Sequence, residues 1–183
     1  MKSGRIVRSF SAEDGRKVVL RVPRLEDVDD LLELINSLVD EGAEISINEK
    51  VTSRDAEIDW LSRVLADLER GEEFFMVAEV DGRVIASSNL DRLRGYQKHV
   101  GVIGIVIKKG FRELGIGTGM MQALVEQARG MGLKVLTLSA FATNERAIHV
   151  YEKVGFVQTG RVPKKHFREG KYIDEIAMAR LLE

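Results

Sequence analysis

The sequence predicts a mixed α/β fold, a mostly antiparallel sheet with helices on both faces. Three observations predict it. Strand-like segments at 74–80, 83–90 and 100–107 follow one another with only short turns between them, so neighbours run antiparallel. A strand, helix, strand, helix series follows, which requires a parallel crossover. Two helical segments precede the meander, so both faces of the sheet have a cover available.

Taken in order, residues 16–22 alternate and are rich in valine, as a half-buried strand is, and Pro23 ends them. Residues 27–40 place Val28, Leu31, Leu32, Ile35, Leu38 and Val39 at helical spacing, and Gly42 supplies a stop. Ser53 offers an N-cap hydroxyl to a second helix whose apolar stripe reads Ala56, Trp60, Val64, Leu65 and Leu68, closed by Gly71. Asp81-Gly82 is a two-residue hairpin turn between the next two strands. Residues 91–98 form a polar loop, and 100–107 a β-branched strand.

Residues 110–119 are glycine-rich, and 120–131 continue as a helix burying Leu124, Val125 and Ala128. A strand at 134–139, a helix at 144–154 stopped by Gly155, and a hairpin of 156–162 with 172–181 complete the chain. The order is β-α-α-β-β-β-α-β-α-β-β in a single domain spanning 1–183, with residues 1–15 as an N-terminal extension or an added strand.

Composition narrows the function. The 183 residues are 44% hydrophobic and 31% charged, which suits a packed domain and not a disordered chain. With 28 basic and 29 acidic residues the net charge is −1, so no basic excess exists to neutralise a nucleic-acid backbone. There is no cysteine, which excludes disulfides, thiolate nucleophiles and zinc-thiolate sites. The three histidines, His99, His149 and His166, have no metal-ligand spacing, and no metal is expected. No apolar run approaches the roughly 20 residues of a membrane helix, and the first ten residues do not read as a signal peptide. The expectation is a cytoplasmic protein with no membrane partner.

The most informative segment runs from Ile105 to Thr118. A buried strand enters a turn holding Gly115 and Gly117, and a helix begins there. The first N–H groups of a helix lack intrahelical acceptors, and the helix dipole adds about half a positive charge at that end. Glycines let a bulky anion approach the backbone, so a pyrophosphate is the expected guest. A phosphate-binding P-loop would need Lys then Ser or Thr after Gly115, but Ile116 and Gly117 follow. A dinucleotide fingerprint would need G-x-G-x-x-G, whereas Gly115, Gly117 and Gly119 read G-x-G-x-G, and Thr137 stands where an acidic ribose partner is expected.

Arg112-x-x-Gly115-x-Gly117 after an apolar strand resembles the acyl-CoA motif of the GNAT N-acetyltransferases. A second block, Asn144-x-x-Ala147-x-x-x-Tyr151-x-x-x-Gly155-Phe156, resembles the same family's second signature. The two blocks are separated by a helix and a strand, and the element order is also the family's. The resemblance therefore covers the whole chain and implies a GNAT fold.

It further implies an acetyl-CoA-dependent N-acetyltransferase that moves an acetyl group to a primary amine of a peptide or small molecule by direct attack in a ternary complex. Ile105, Val106 and Ile107 would pair with the pantetheine arm. Arg112 belongs to the motif, Glu113, Leu114, Gly115, Ile116, Gly117 and Thr118 would cradle the pyrophosphate, and Asn144 would bond the pantetheine amide. Tyr151 would serve the leaving sulfur as proton or hydrogen-bond donor, and a backbone N–H near Ile105 the oxyanion. Read without the family, Asn144 caps its helix and Tyr151 is a core aromatic.

The family's usual base positions hold Gly101 and Thr137, neither of which can be a base. His99, Glu79 and Asp91 are nearby alternatives, as is a water chain. The missing acid leaves a second reading, an acyl-CoA-binding sensor or interaction module without turnover. The acceptor would be gripped by residues 41–53, with Glu41, Glu44 and Glu49, and by 161–172, with Arg161, Lys164, Lys165, His166, Arg168 and Lys171. These charges point both to a cationic amine and to a carboxylate. Homodimers are common in the family.

Overall fold

The computed structural model describes residues 2–71 and 73–182. Its elements are β1 (Ile6–Ser11), β2 (Lys17–Arg21), α1 (Val28–Asp40), α2 (Arg54–Arg70), β3 (Glu73–Val80), β4 (Arg83–Arg92), β5 (Val100–Ile107), α3 (Ile116–Gly130), β6 (Val135–Phe141), α4 (Glu145–Lys153), β7 (Val157–Arg168) and β8 (Lys171–Leu181). They form one eight-stranded sheet in the order β1-β2-β3-β4-β5-β6-β8-β7. Every neighbouring pair is antiparallel except β5 and β6, joined through α3. This is the mixed sheet expected, with one strand added at its N-terminal edge.

The two faces can be told apart from contacts. Trp60 on α2 meets Phe75 edge-on at 5.4 Å, so Phe75 faces the α1–α2 layer. Phe75 pairs with Asn89, which pairs with Gly104, and these share that face. A Cβ on Gly117 of α3 would stand 3.2 Å from Ile107 Cδ1, which puts the alternate residues of β5 under α3.

Several elements differ in detail from their sequence pattern. Helix α1 buries Val28, Leu31, Leu34 and Leu38. Helix α2 starts at the Ser53 cap, whose hydroxyl accepts from the Ala56 N–H, and ends at left-handed Gly71. Its buried stripe is Glu57, Leu61, Val64 and Leu68 rather than the one through Ala56 and Trp60. Helix α3 begins four residues earlier than the glycines suggest, because Gly115 at φ +77° is its N-cap. Strand β7 runs through Pro163 to Arg168. It is the outermost strand, where a missing N–H costs no ladder bond.

A buried ion pair ties the N-terminal elements together. Arg21 is 3% exposed and Asp27 7%. The guanidinium of Arg21 donates two 2.7 Å bonds to the Asp27 carboxylate and a third, also 2.7 Å, to Glu79 on β3. Asp27 also accepts from the Arg24 N–H at 2.7 Å. The fork geometry of arginine suits this double acceptor. Removing one partner strands a charge in the interior. Asp27→Ala is therefore expected to lower the unfolding free energy by about 3–5 kcal/mol, measured as a shift in the urea midpoint.

Candidate functional site

Strands β5 and β6 pair for only three residues, Val100–Val102 with Val135–Thr137. Beyond them β5 stays with β4 as far as Ile107 while β6 stays with β8 as far as Phe141. The strands diverge, and the backbone of 103–107 keeps one edge open. The gap leads into a groove of about 2060 Å³ between the α1–α2 loop, the glycine turn, α4 and the terminal hairpin. Pockets for one small ligand are about 300–1,000 Å³, so this groove has room for two reactants.

Ile105, Val106 and Ile107 all lie on the diverging stretch and line the groove. The turn that follows is strongly bent, with Gly110 at φ +86°, Glu113 at +62° and Gly115 at +77°. A side chain at 115 would be strained, and glycine avoids this. Among the described residues, none of the six backbone N–H groups from Glu113 to Thr118 donates to a protein acceptor. They form an electropositive cradle at the start of α3. Ile116 takes part through its backbone alone, since its side chain is 1% exposed and sits in the core.

The third glycine has a different task. A Cβ at Gly119 would lie 2.6 Å from the ring of Phe10 on β1. The Leu114 carbonyl accepts from the Glu13 N–H at 3.1 Å, a second tie from the same hairpin. Arg112 is a brace: it donates to the Ile107 carbonyl at 2.9 Å and pairs with Glu41 at the end of α1.

Asn144 is the N-cap of α4, its Oδ1 accepting from the Ala147 N–H at 3.3 Å, and its amide nitrogen reaches the Glu44 carbonyl at 3.5 Å. Tyr151 lies further along α4, 8% exposed and lining the groove. Burial pushes its phenol up to about 12. Among the described residues none bonds its hydroxyl.

The structure separates the candidate bases. His99 is exposed in the loop before β5 and does not line the groove. Glu79 is held by Arg21 and does not line the groove. Gly101 faces packed core, where a Cβ would strike Leu90, Leu133 and Leu136 within 3.0 Å. Thr137 is engaged with the Gly101 carbonyl. Asp91 does line the groove, and burial raises its carboxyl above the usual range while a bond from Asn89 lowers it.

The charges of the two acceptor segments are largely engaged. Glu41 meets Arg112, and Glu44 accepts from Thr143. Arg161 is paired with Asp174, Lys165 and His166 with Glu175, and Arg168 bonds the carbonyls of Gly42 and Ala43. Residues 41–44 are thus fastened to the glycine turn, to the start of α4 and to the hairpin.

A family model of the acetyltransferase (GNAT) family matches residues 34–156. The chain belongs to that family. Among curated relatives, the L-amino acid N-acetyltransferase AaaT of Escherichia coli K12 is 31% identical over 108 residues, 58% of this chain and 67% of the relative. An N-alpha-acetyltransferase of Sulfurisphaera tokodaii is 26% identical over 170 residues, 87% of this chain and 92% of the relative. Among solved structures, yncA of Salmonella typhimurium with its cofactor acetyl-CoA superimposes with a TM-score of 0.79 over 91% of this chain and 94% of that one, at 20% identity.

One groove residue of this GNAT chain was not singled out in sequence. Glu57 belongs to the buried stripe of α2, is 5% exposed and lines the groove. Its signal was available, an acid three and four residues before Trp60 and Leu61. Among the described residues no hydrogen-bond or ionic partner meets its carboxylate, and burial raises it above its ordinary value of 4.5.

A raised native value means that ionisation disfavours the folded state. The penalty is absent where both states are protonated, below about 4.5, and grows as the pH rises through the native value. Glu57→Gln is therefore expected to be more stable than the parent at pH 7 to 8. The difference should shrink as the pH falls toward 4, in paired thermal melts.

Proposed function

We propose that this chain transfers the acetyl group of acetyl-CoA to a primary amine by direct attack within a ternary complex. The observation that carries this reading is the run of six unengaged backbone N–H groups, 113–118, set beside an open strand edge in a groove large enough for two substrates. Backbone polar groups left without a protein partner favour a ligand that completes them. A strand-like arm pairing with 105–107 and a pyrophosphate against 113–118 would do so together. Asn144 would turn its amide from the Glu44 carbonyl toward that arm.

Tyr151 is suited to the leaving sulfur. With its phenol near 12, it stays protonated throughout the neutral range. A thiol has a reference value of about 8.5, so complete transfer from the phenol would be uphill by about 5 kcal/mol. The hydroxyl therefore acts by hydrogen bonding to the developing thiolate and does not end as a tyrosinate. As the amine nitrogen bonds to the acetyl carbon, the C–S bond breaks with its electron pair on sulfur, and a proton from the amine completes the thiol. The N–H groups along the open edge of β5 are available to the carbonyl oxygen.

The chain has no cysteine, so free-thiol release from acetyl-CoA can be followed without background. Release is expected to require an added amine. Tyr151→Phe should lower kcat by about tenfold to a hundredfold, at or below the bottom of the range for a full proton donor because the hydroxyl only hydrogen-bonds the thiolate, with calorimetric affinity for acetyl-CoA unchanged. Acetyl-CoA binding without release from any amine would select a sensor instead.

A further inference from the structure

Helix α2 opens with two acids, Asp55 and Glu57, in opposite settings. Asp55 faces solvent, whereas Glu57 is 5% exposed. Glu57 heads the stripe Glu57, Leu61, Val64 and Leu68 that α2 turns to the core. Unlike Leu61 and Leu68, it also lines the groove. A leucine at 57 would continue the stripe with no charge to bury, so the acid weakens the fold where an apolar residue would not.

The usual means of holding a buried carboxylate are absent. Asp27 has a guanidinium and a backbone N–H, but among the described residues neither a cation nor a hydrogen-bond donor meets Glu57. The start of α2 supplies its dipole, which favours the charge and completes none of the carboxylate's hydrogen bonds. The wall beside it is apolar. Trp60, one turn on, lies on the same side of the helix and packs edge-on against Phe75, and Leu31 and Ile35 of α1 line the same groove. This setting suits a cation that brings its own hydrogen-bond donors on a body that covers the wall. An acetyl-CoA donor is itself anionic and belongs at the glycine turn, so the cation belongs to the acceptor.

We propose that Glu57 is the counter-charge for the acceptor and takes an ammonium borne on an apolar body. The proposal rests on the acetyltransferase reading above and gives its acceptor a chemical class. An ammonium donates up to three hydrogen bonds and supplies the missing positive charge in one step. A free amino acid suits the site poorly, because its own carboxylate would be brought beside Glu57 in an apolar surround.

The chain's single tryptophan, Trp60, stands one turn from Glu57 and lines the groove, so its fluorescence reports entry of a guest. In the CoA-loaded protein, hexylamine is expected to change the Trp60 emission saturably. Hexanol, without the charge, and norleucine, with an added carboxylate, should bind about tenfold more weakly or worse. Glu57→Gln should bring hexylamine down to the level of hexanol. Asp59→Asn, on the exposed side of the same helix, should leave all three as in the parent. No saturable change with hexylamine, equal binding of hexylamine and hexanol, tighter binding of norleucine, or an unaltered affinity in Glu57→Gln would each overturn the proposal.

Turnover separates the subsite from the reaction. With acetyl-CoA as donor, Glu57→Gln should raise KM for hexylamine about tenfold and change kcat little. Thiol release from hexylamine with KM unchanged in Glu57→Gln would support the acetyltransferase reading and overturn the subsite. Hexylamine binding that depends on Glu57, with no thiol release from any amine, would support the subsite and refute the acetyltransferase reading. Because Glu57→Gln is expected to fold more stably than the parent, a misfolded variant would not mimic the loss.

Discussion

The constraint on which the rest of this structure depends is hydrogen-bond accounting where β5 and β6 part. Each strand keeps its own antiparallel partner, β4 and β8 respectively, and neither can also pair with the other beyond Val102. The sheet is thus two half-sheets hinged at three residues. The divergence leaves the groove, the open edge along 103–107 and space for α3 to begin with its amides unengaged. A continuous ladder at the same place would satisfy the backbone and leave no room for a ligand. The site is the place where the fold omits a few of its own hydrogen bonds.

Charge is distributed by the same logic. Acids and bases on the α1–α2 loop and the terminal hairpin fasten loop to turn and hairpin to loop, so most of them form the rim of the site. Arg21, deep in the N-terminal half, is matched by two carboxylates. Among the described residues no cation is paired with Glu57 or with Asp91, which accepts only the Asn89 amide, although burial disfavours their charge. A buried carboxylate without a cation disfavours the folded state when it is ionised. A near-zero net charge conceals this, since it is a property of the whole chain and not of the groove.

Sequence legibility followed the range of the interactions. The strand, glycine turn and helix around 105–119 and the helix from Asn144 to Tyr151 were readable because caps, turns and periodicity act over a few residues. The family's two blocks lie in these segments. Helix α2 was read with Trp60 in its core stripe, because a large aromatic is assumed to be buried. That rotated the expected face and hid Glu57 among surface acids. The bond between Arg112 and Glu41 spans 71 residues, and no local pattern announces it. The same holds for Gly119, whose smallness answers to a ring on β1 more than 100 positions away. Gly101 and Thr137 carry no ionisable group, and which acids line the groove instead depended on strand register and helix rotation.

The hairpin of β1 and β2 precedes the stretch that the family model matches, yet it reaches the heart of the cradle. Phe10 fills the space under the first turn of α3, and the Glu13 N–H holds the Leu114 carbonyl. A chain trimmed to the family span would keep every motif residue while losing the wedge and the latch that set the pitch of the helix beneath them. For anyone grafting this glycine turn into another scaffold, the transferable unit is therefore discontinuous. It consists of the turn together with an aromatic from the edge strand β1, four places along the sheet from β5.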